Sequence, residues 1–155
     1  MALSHTLIHR LKNPELFDAI ADPAWLGLAA GTPTFAVVNP ATGEHLADIP
    51  DMGVDGARAA IDRAGEAQAE WAGLTARERS DTLWRWHQLI VRHTDDLAAI
   101  LTAEMGKPLA EAKSEVSHAA AYLQWYAEEA NRVYGETIPA PSRDRRMIVI
   151  KQPIG

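Results

Sequence analysis

The chain has 155 residues, 47% of them hydrophobic and 23% charged, which is the balance of one globular unit able to bury a core. Its net charge of −6, with Lys and Arg scattered rather than clustered, provides no basic field and so excludes nucleic acid and anionic membrane surfaces as partners. Cysteine is absent, which removes disulfides, thiolate metal sites and a thiol nucleophile together.

Residues 1–33 read as an amino-terminal arm. Met1 to Arg10 contains no apolar core of signal-peptide length, and no later stretch approaches the ~20 apolar residues of a membrane span, so a cytoplasmic location without membrane contact is expected. A helical turn is expected around Pro14 to Ile20, before Asp22-Pro23 and Gly31-Thr32-Pro33 punctuate the chain. Two β-prone runs, Thr34 to Val38 and Glu44 to Ile49, flank Asn39-Pro40-Ala41-Thr42-Gly43. That turn composition predicts a hairpin.

Four helical stretches follow. Ala57, Ile61, Ala64, Ala67 and Trp71 recur at spacings of three and four after Asp55, the expected N-cap. The second helix begins at Thr75, whose spacing to Glu78 fits a capping box, and carries Leu83, Trp86 and Ile90 on one stripe with Trp84 and Val91 on another. Thr94 is the expected cap of a third, whose stripe of Leu97, Ile100, Leu101 and Met105 leads to Gly106, placed for a left-handed C-cap, with Pro108 able to open the next helix.

The fourth helix keeps its period through Leu109, Ala112, Val116, Ala119, Leu123, Tyr126, Ala130 and Val133. At ~1.5 Å per residue it would span roughly 39 Å before Gly135 ends it. A second stripe, His118, Tyr122 and Trp125, lies on another face, so contact from two sides is expected. Beyond Pro139, Pro141 and the polar Ser142 to Arg146, the run Met147 to Gln152 reads as a strand of a sheet interior. Only the early hairpin offers it a partner, so the fold is expected to be an incomplete domain of the α/β class.

Residues able to carry chemistry are few. Gly53-Val54-Asp55-Gly56 before a helix could cradle an anion but reads first as a turn and cap; neither G-x-G-x-x-G nor G-x-x-x-x-G-K-[ST] occurs, and Pro108 after Gly106-Lys107 rules out a phosphate loop there. His5 and His9 are four apart, yet lack cysteine or acidic partners for a metal. His87, His93 and His118 read as surface or stacking residues. Asp95-Asp96 suits the dipole of a helix's first turn, and Glu128 has Arg132 four residues on, so both acidic pairs read as solvated helix faces.

Several long strings resemble the aldehyde dehydrogenase family. Phe35-Ala36-Val37-Val38-Asn39-Pro40-Ala41-Thr42-Gly43-Glu44, Ile49-Pro50-Asp51-Met52 and Thr75-Ala76-Arg77-Glu78-Arg79-Ser80 resemble its first hairpin and second helix. The run from Leu101 to Ala112, with Trp125-Tyr126-Ala127-Glu128-Glu129-Ala130, Val133 to Pro139 and Ile148 to Gly155, is similar to the succinate-semialdehyde dehydrogenase branch. Pro23 stands where that family usually has glycine, and proline cannot adopt the positive φ that glycine permits, so the early turn is not carried over.

The resemblance implies the amino-terminal portion of the aldehyde dehydrogenase fold: hairpin, four helices including one long helix, and a terminal strand. Residues 34–135 would form a partial layer of the cofactor domain, and 136–155 the start of an oligomerisation ribbon. The implied reaction needs a cysteine thiolate to attack the aldehyde, NAD or NADP to accept hydride, and a glutamate to activate water. The family's nucleophile, general base, cofactor-binding residues and substrate-carboxylate arginine match positions beyond Gly155, so no residue here is assigned a catalytic, cofactor-binding or metal-ligating role. Some members hold a monovalent cation by carbonyls and an acidic side chain that would map onto Val37, Val38 and Glu104. The chain is expected to be inactive alone, with no cofactor of its own, and its implied partners are the remainder of a dehydrogenase subunit or a homo-oligomer. The alternative is a non-catalytic interaction protein that associates with an intact dehydrogenase subunit.

Overall fold

The structure, a computed structural model, describes residues 5–15 and 31–154. A short helix α1 (His5–Ile8) precedes the hairpin strands β1 (Thr34–Val38) and β2 (His45–Pro50); helices α2 (Gly53–Gly73), α3 (Ala76–Arg92), α4 (Thr94–Met105) and α5 (Leu109–Glu129) follow, then a 3₁₀ turn (Ala130–Arg132) and strands β3 (Glu136–Ile138) and β4 (Met147–Val149). Most of the expected turn around Pro14 to Ile20, and Pro23 itself, lie outside the described residues.

The hairpin forms where its turn composition places it. Strands β1 and β2 pair antiparallel from Thr34 opposite Pro50 to Val38 opposite His45, with an irregularity between Val37 and Val38. Asn39 organises the turn: its Oδ1 accepts the Ala41 N–H at 2.9 Å, while Gly43, at φ +73°, donates its N–H to the Asn39 carbonyl at 2.8 Å.

Helix α2 starts earlier than Asp55. The Asp51 carboxylate accepts the Gly53 N–H at 3.2 Å, an Asx turn that launches the helix, and Asp55 sits inside its first turn. The expected apolar face of α2 is left uncovered: Ala57, Ile61, Ala64 and Ala67 are exposed and Trp71 is half-buried. The capping box of α3 is present as expected, with Thr75 N–H donating to the Glu78 carboxylate at 2.8 Å and Glu78 N–H to the Thr75 hydroxyl at 3.3 Å. The Thr75 backbone N–H most, and then the Thr75 hydroxyl, which donates to the same carboxylate at 2.7 Å, hold the Glu78 carboxyl below its ordinary pKa.

Thr94 does not cap α4. Its hydroxyl donates backwards to the carbonyls of Ile90 at 3.1 Å and Val91 at 2.9 Å in the last turn of α3, and His93 is the residue shared between the two helices. At the other end of α4, Gly106 takes φ +77° as expected, and a side chain there would meet Pro40 Cγ at 3.1 Å. That close approach sets the helix end against the hairpin turn.

Helix α5 packs against both α3 and α4. Ala98 and Ala112 are fully buried where α4 crosses α5; Val116 joins them, with Ile90, Leu97 and Leu101 packed around. The buried residues of α5 are Ala112, Val116, Ala120 and Ala127, whereas Ala119 and Tyr126 of the expected stripe are exposed. The helix also ends earlier than Tyr134, tightening into the 3₁₀ turn after Glu129. Gly135 lies beyond the helix end and serves a close backbone approach instead, since a side chain there would run into the Val149 carbonyl.

That contact belongs to an element the sequence pattern hides. Strand β4 pairs not with the hairpin but with β3, from Glu136 opposite Val149 to Ile138 opposite Met147, and the two form a separate two-stranded ribbon with all six residues exposed. Among the described residues, the regular part of the Met147 to Gln152 run is three residues long.

Candidate functional site

One unpartnered apolar feature is a face of α5. His118, Ala121, Tyr122, Trp125 and Tyr126 line a groove of about 550 Å³, and Trp125 is 61% exposed. The one-turn spacing of these residues gathers them on one side, while α3 and α4 occupy the other side through Ala112, Val116, Ala120 and Ala127. The second stripe does lie on a different face, but among the described residues nothing covers it, so the expected contact from a second side is not seen. A second groove, lined by Ala64, Ala67, Gln68, Glu70, Trp71 and Leu74, follows the uncovered face of α2. Both are open, apolar surfaces of the kind that another polypeptide segment covers.

The acidic pair at the start of α4 departs from its expected solvated role. Asp96 is 2% exposed and accepts three hydrogen bonds from the arm: Lys12 N–H at 2.6 Å, Asn13 N–H at 3.1 Å and the Asn13 side-chain amide at 2.8 Å. Burial opposes its charge, but the Asn13 amide, the two backbone donors and the nearby His93 ring outweigh it and bring the carboxyl below its ordinary pKa. Asp95 bridges Lys113 at 2.7 Å and Lys12 at 2.5 Å, which carries its pKa down to about 2, the Lys113 hydrogen bond contributing most. Neither carboxylate lines either of the two grooves.

The other candidates resolve into structural roles. Arg132 pairs with Glu129 at 2.8 Å rather than with Glu128, which instead accepts from Gln124 at 3.1 Å. His87 stacks on Trp84 with ring centroids 5.1 Å apart and donates from Nδ1 to the Ala120 carbonyl at 2.9 Å, so the stacking expectation holds for it. Gly56 N–H is used by the Met52 carbonyl at 3.1 Å, and Gly53 N–H by Asp51, so Gly53 to Gly56 form the turn and start of α2. Lys107 pairs with Glu115.

The His5 side chain lies outside the described residues, and no cluster of three or more His, Asp or Glu able to hold a metal occurs among those described. Val37 packs against the cluster that contains Ala103, so the end of β1 and the segment bearing Glu104 do come together. Among the described residues no helix is long and apolar enough to cross a membrane.

Comparison with known proteins gives this arrangement a context. The model of the aldehyde dehydrogenase family matches residues 28–155. A probable NADP(+)-dependent succinate-semialdehyde dehydrogenase of Sinorhizobium fredii is 66% identical over 155 residues, covering 100% of this chain and 32% of the relative. A glutarate-semialdehyde dehydrogenase of Pseudomonas putida is 49% identical over 148 residues, covering 94% of this chain and 31% of the relative. Among solved structures, succinate-semialdehyde dehydrogenase from Burkholderia pseudomallei superposes with a TM-score of 0.76 at 50% identity, over 79% of this chain and 26% of that one. The chain thus spans about a third of the curated relatives it matches.

Proposed function

Because the chain belongs to the aldehyde dehydrogenase family, we propose that it is the amino-terminal segment of an NAD(P)-dependent semialdehyde dehydrogenase whose substrate is succinate semialdehyde, and that it supports the catalytic apparatus without contributing to it. The observation that carries this reading is the 66% identity along the whole chain to a relative of which it covers 32%. NADP is favoured over NAD by that relative's specificity; the cofactor supplies hydride acceptance to the complete enzyme. This chain has no glycine-rich phosphate loop and no thiol, so none of its residues is assigned to either role.

In this reading residues 34–135 form an outer layer of the cofactor domain, and 136–155 begin the ribbon through which subunits associate. The uncovered faces of α2 and α5 support it, because each is an apolar surface that the rest of a subunit could cover. The exposed β3–β4 ribbon supports the second assignment, since among the described residues no further strand pairs with its edges. The test is a chimera in which these 155 residues replace the matching stretch of the Sinorhizobium relative. NADP-dependent oxidation of succinate semialdehyde near the parent level is expected; a soluble, folded chimera without activity would overturn the assignment.

A second reading, a non-catalytic chain that docks on an intact dehydrogenase subunit, draws on the same exposed α5 face. Co-purification of the chain with an intact relative, at fixed stoichiometry, distinguishes it from the first.

A further inference from the structure

We infer that residues 7–13 are a strap that fastens the β1–β2 hairpin to the helical layer, buckled at its far end by the buried carboxylate of Asp96. Neither the family match nor the semialdehyde reading bears on this inference.

The hairpin meets the helical layer at a small core. Among the described residues, that core is the cluster of Leu7, Leu46 and Ala103, at 4%, 4% and 1% exposure, against which Val37 packs; Ala47 of β2 is buried as well, and Pro40 approaches Gly106 at the hairpin's turn. Leu46 comes from β2 and Ala103 from α4, so Leu7 is the member that fills the space between them. Alanine alone is too small to bury a leucine of the opposing layer, which makes the arm the third wall of this small core.

The strap is then fixed five residues further on. Leu11 is buried, and Lys12 and Asn13 deliver two backbone N–H groups and one side-chain amide to Asp96, across 84 and 83 positions of sequence. The dependence runs both ways. A carboxylate with almost no solvent access is costly unless hydrogen-bonded, and among the described residues all three of its hydrogen bonds come from the arm. The arm, in turn, could not keep Leu7 in place if its far end swung freely. Asp95, Lys12 and Lys113 add a rim of ion pairs; they are substantially exposed and so contribute little.

Coupling at a distance is the consequence: residue 96 lies outside the hairpin's buried attachment, yet it should govern how tightly the hairpin is held. Hydrogen exchange on the full 155-residue chain, read by mass spectrometry, tests this. In Asp96→Asn one acceptor oxygen becomes a donor facing donors, and amides of β1 and β2 should exchange on the order of tenfold faster or more, while those of α3 and α5 keep their rates. Leu7→Ala, which leaves Asp96 intact, should give the same pattern from the other end. Asn13→Ala removes one bond of three and should give a smaller acceleration, which keeps the test informative if Asp96→Asn does not fold. Unchanged hairpin exchange in Leu7→Ala and Asn13→Ala, or an equal acceleration throughout α3, α4 and α5, would overturn the strap.

Discussion

Replacing Ala112 with leucine, beside the same replacement at Ala119, separates the packing described above from a reading of helical period alone. Both alanines fall on the apolar stripe that the sequence suggests for the long helix, so period alone predicts equal effects. In the structure Ala112 is 0% exposed and faces Ala98, also 0%, where α4 and α5 cross, whereas Ala119 is exposed. Three added carbons at Ala112 must push the two helices apart or force strained rotamers, which costs about 1–3 kcal/mol. For a chain of this size each kcal/mol moves the melting temperature by roughly 2–4 °C, so a fall of about 2–12 °C is expected. Ala119→Leu should stay within ~0.5 kcal/mol of the parent. Thermal melting followed by far-UV circular dichroism measures both, and equal shifts in the two variants would refute the assigned face of α5.

Local geometry gives two further expectations. Thr75→Ala removes the hydroxyl that accepts the Glu78 N–H and should destabilise α3 by about 1 kcal/mol, read as a lower denaturant midpoint with an unchanged slope. Asp95 should titrate near pH 2 by carboxyl-detected NMR. Because its folded pKa lies below the ordinary ~3.9, its ion pairs stabilise the fold fully above pH ~4 and lose that effect as pH falls toward 2. Lys113→Ala should raise the Asp95 pKa more than Lys12→Ala does, and the reverse order would contradict the geometry around it.

Short-range chemistry controls what is legible in the sequence. The hairpin, the capping box at Thr75 and the left-handed Gly106 each depend on residues within a few positions, and each lies within a residue or so of its expected place. The α5 stripe departs from its expected course by one position at a definite point. From Ala112 the buried face steps by four to Val116 and again to Ala120, then reaches Ala127. Taking Ala119 as the next member carries the error on to Tyr126. The alanines in and around that turn are nearly interchangeable by hydropathy, and the positions of α3 and α4 decide which one is buried.

Asp96 reads as solvated from sequence because its partners lie more than eighty residues away in the arm, and no local pattern announces them. The partner of β4 is hidden because Glu-Thr-Ile is too short and too polar to declare itself a strand; it is the tight backbone approach at Gly135 that makes room for the pairing. The family resemblance, which rests on long strings rather than on any fold argument, extends over much the same part of the chain as the family match. Helical period and turn composition alone reach a mixed helix-and-strand unit, without its catalytic context.

Whether these 155 residues carry any dehydrogenase chemistry of their own is open to direct measurement. Purified chain, mixed with NADP and succinate semialdehyde and followed by the absorbance of reduced cofactor, should give a flat trace. Steady reduction that scales with chain concentration and survives removal of every other protein would show that a polypeptide without a thiol performs the oxidation, and the supporting role assigned to it would be wrong.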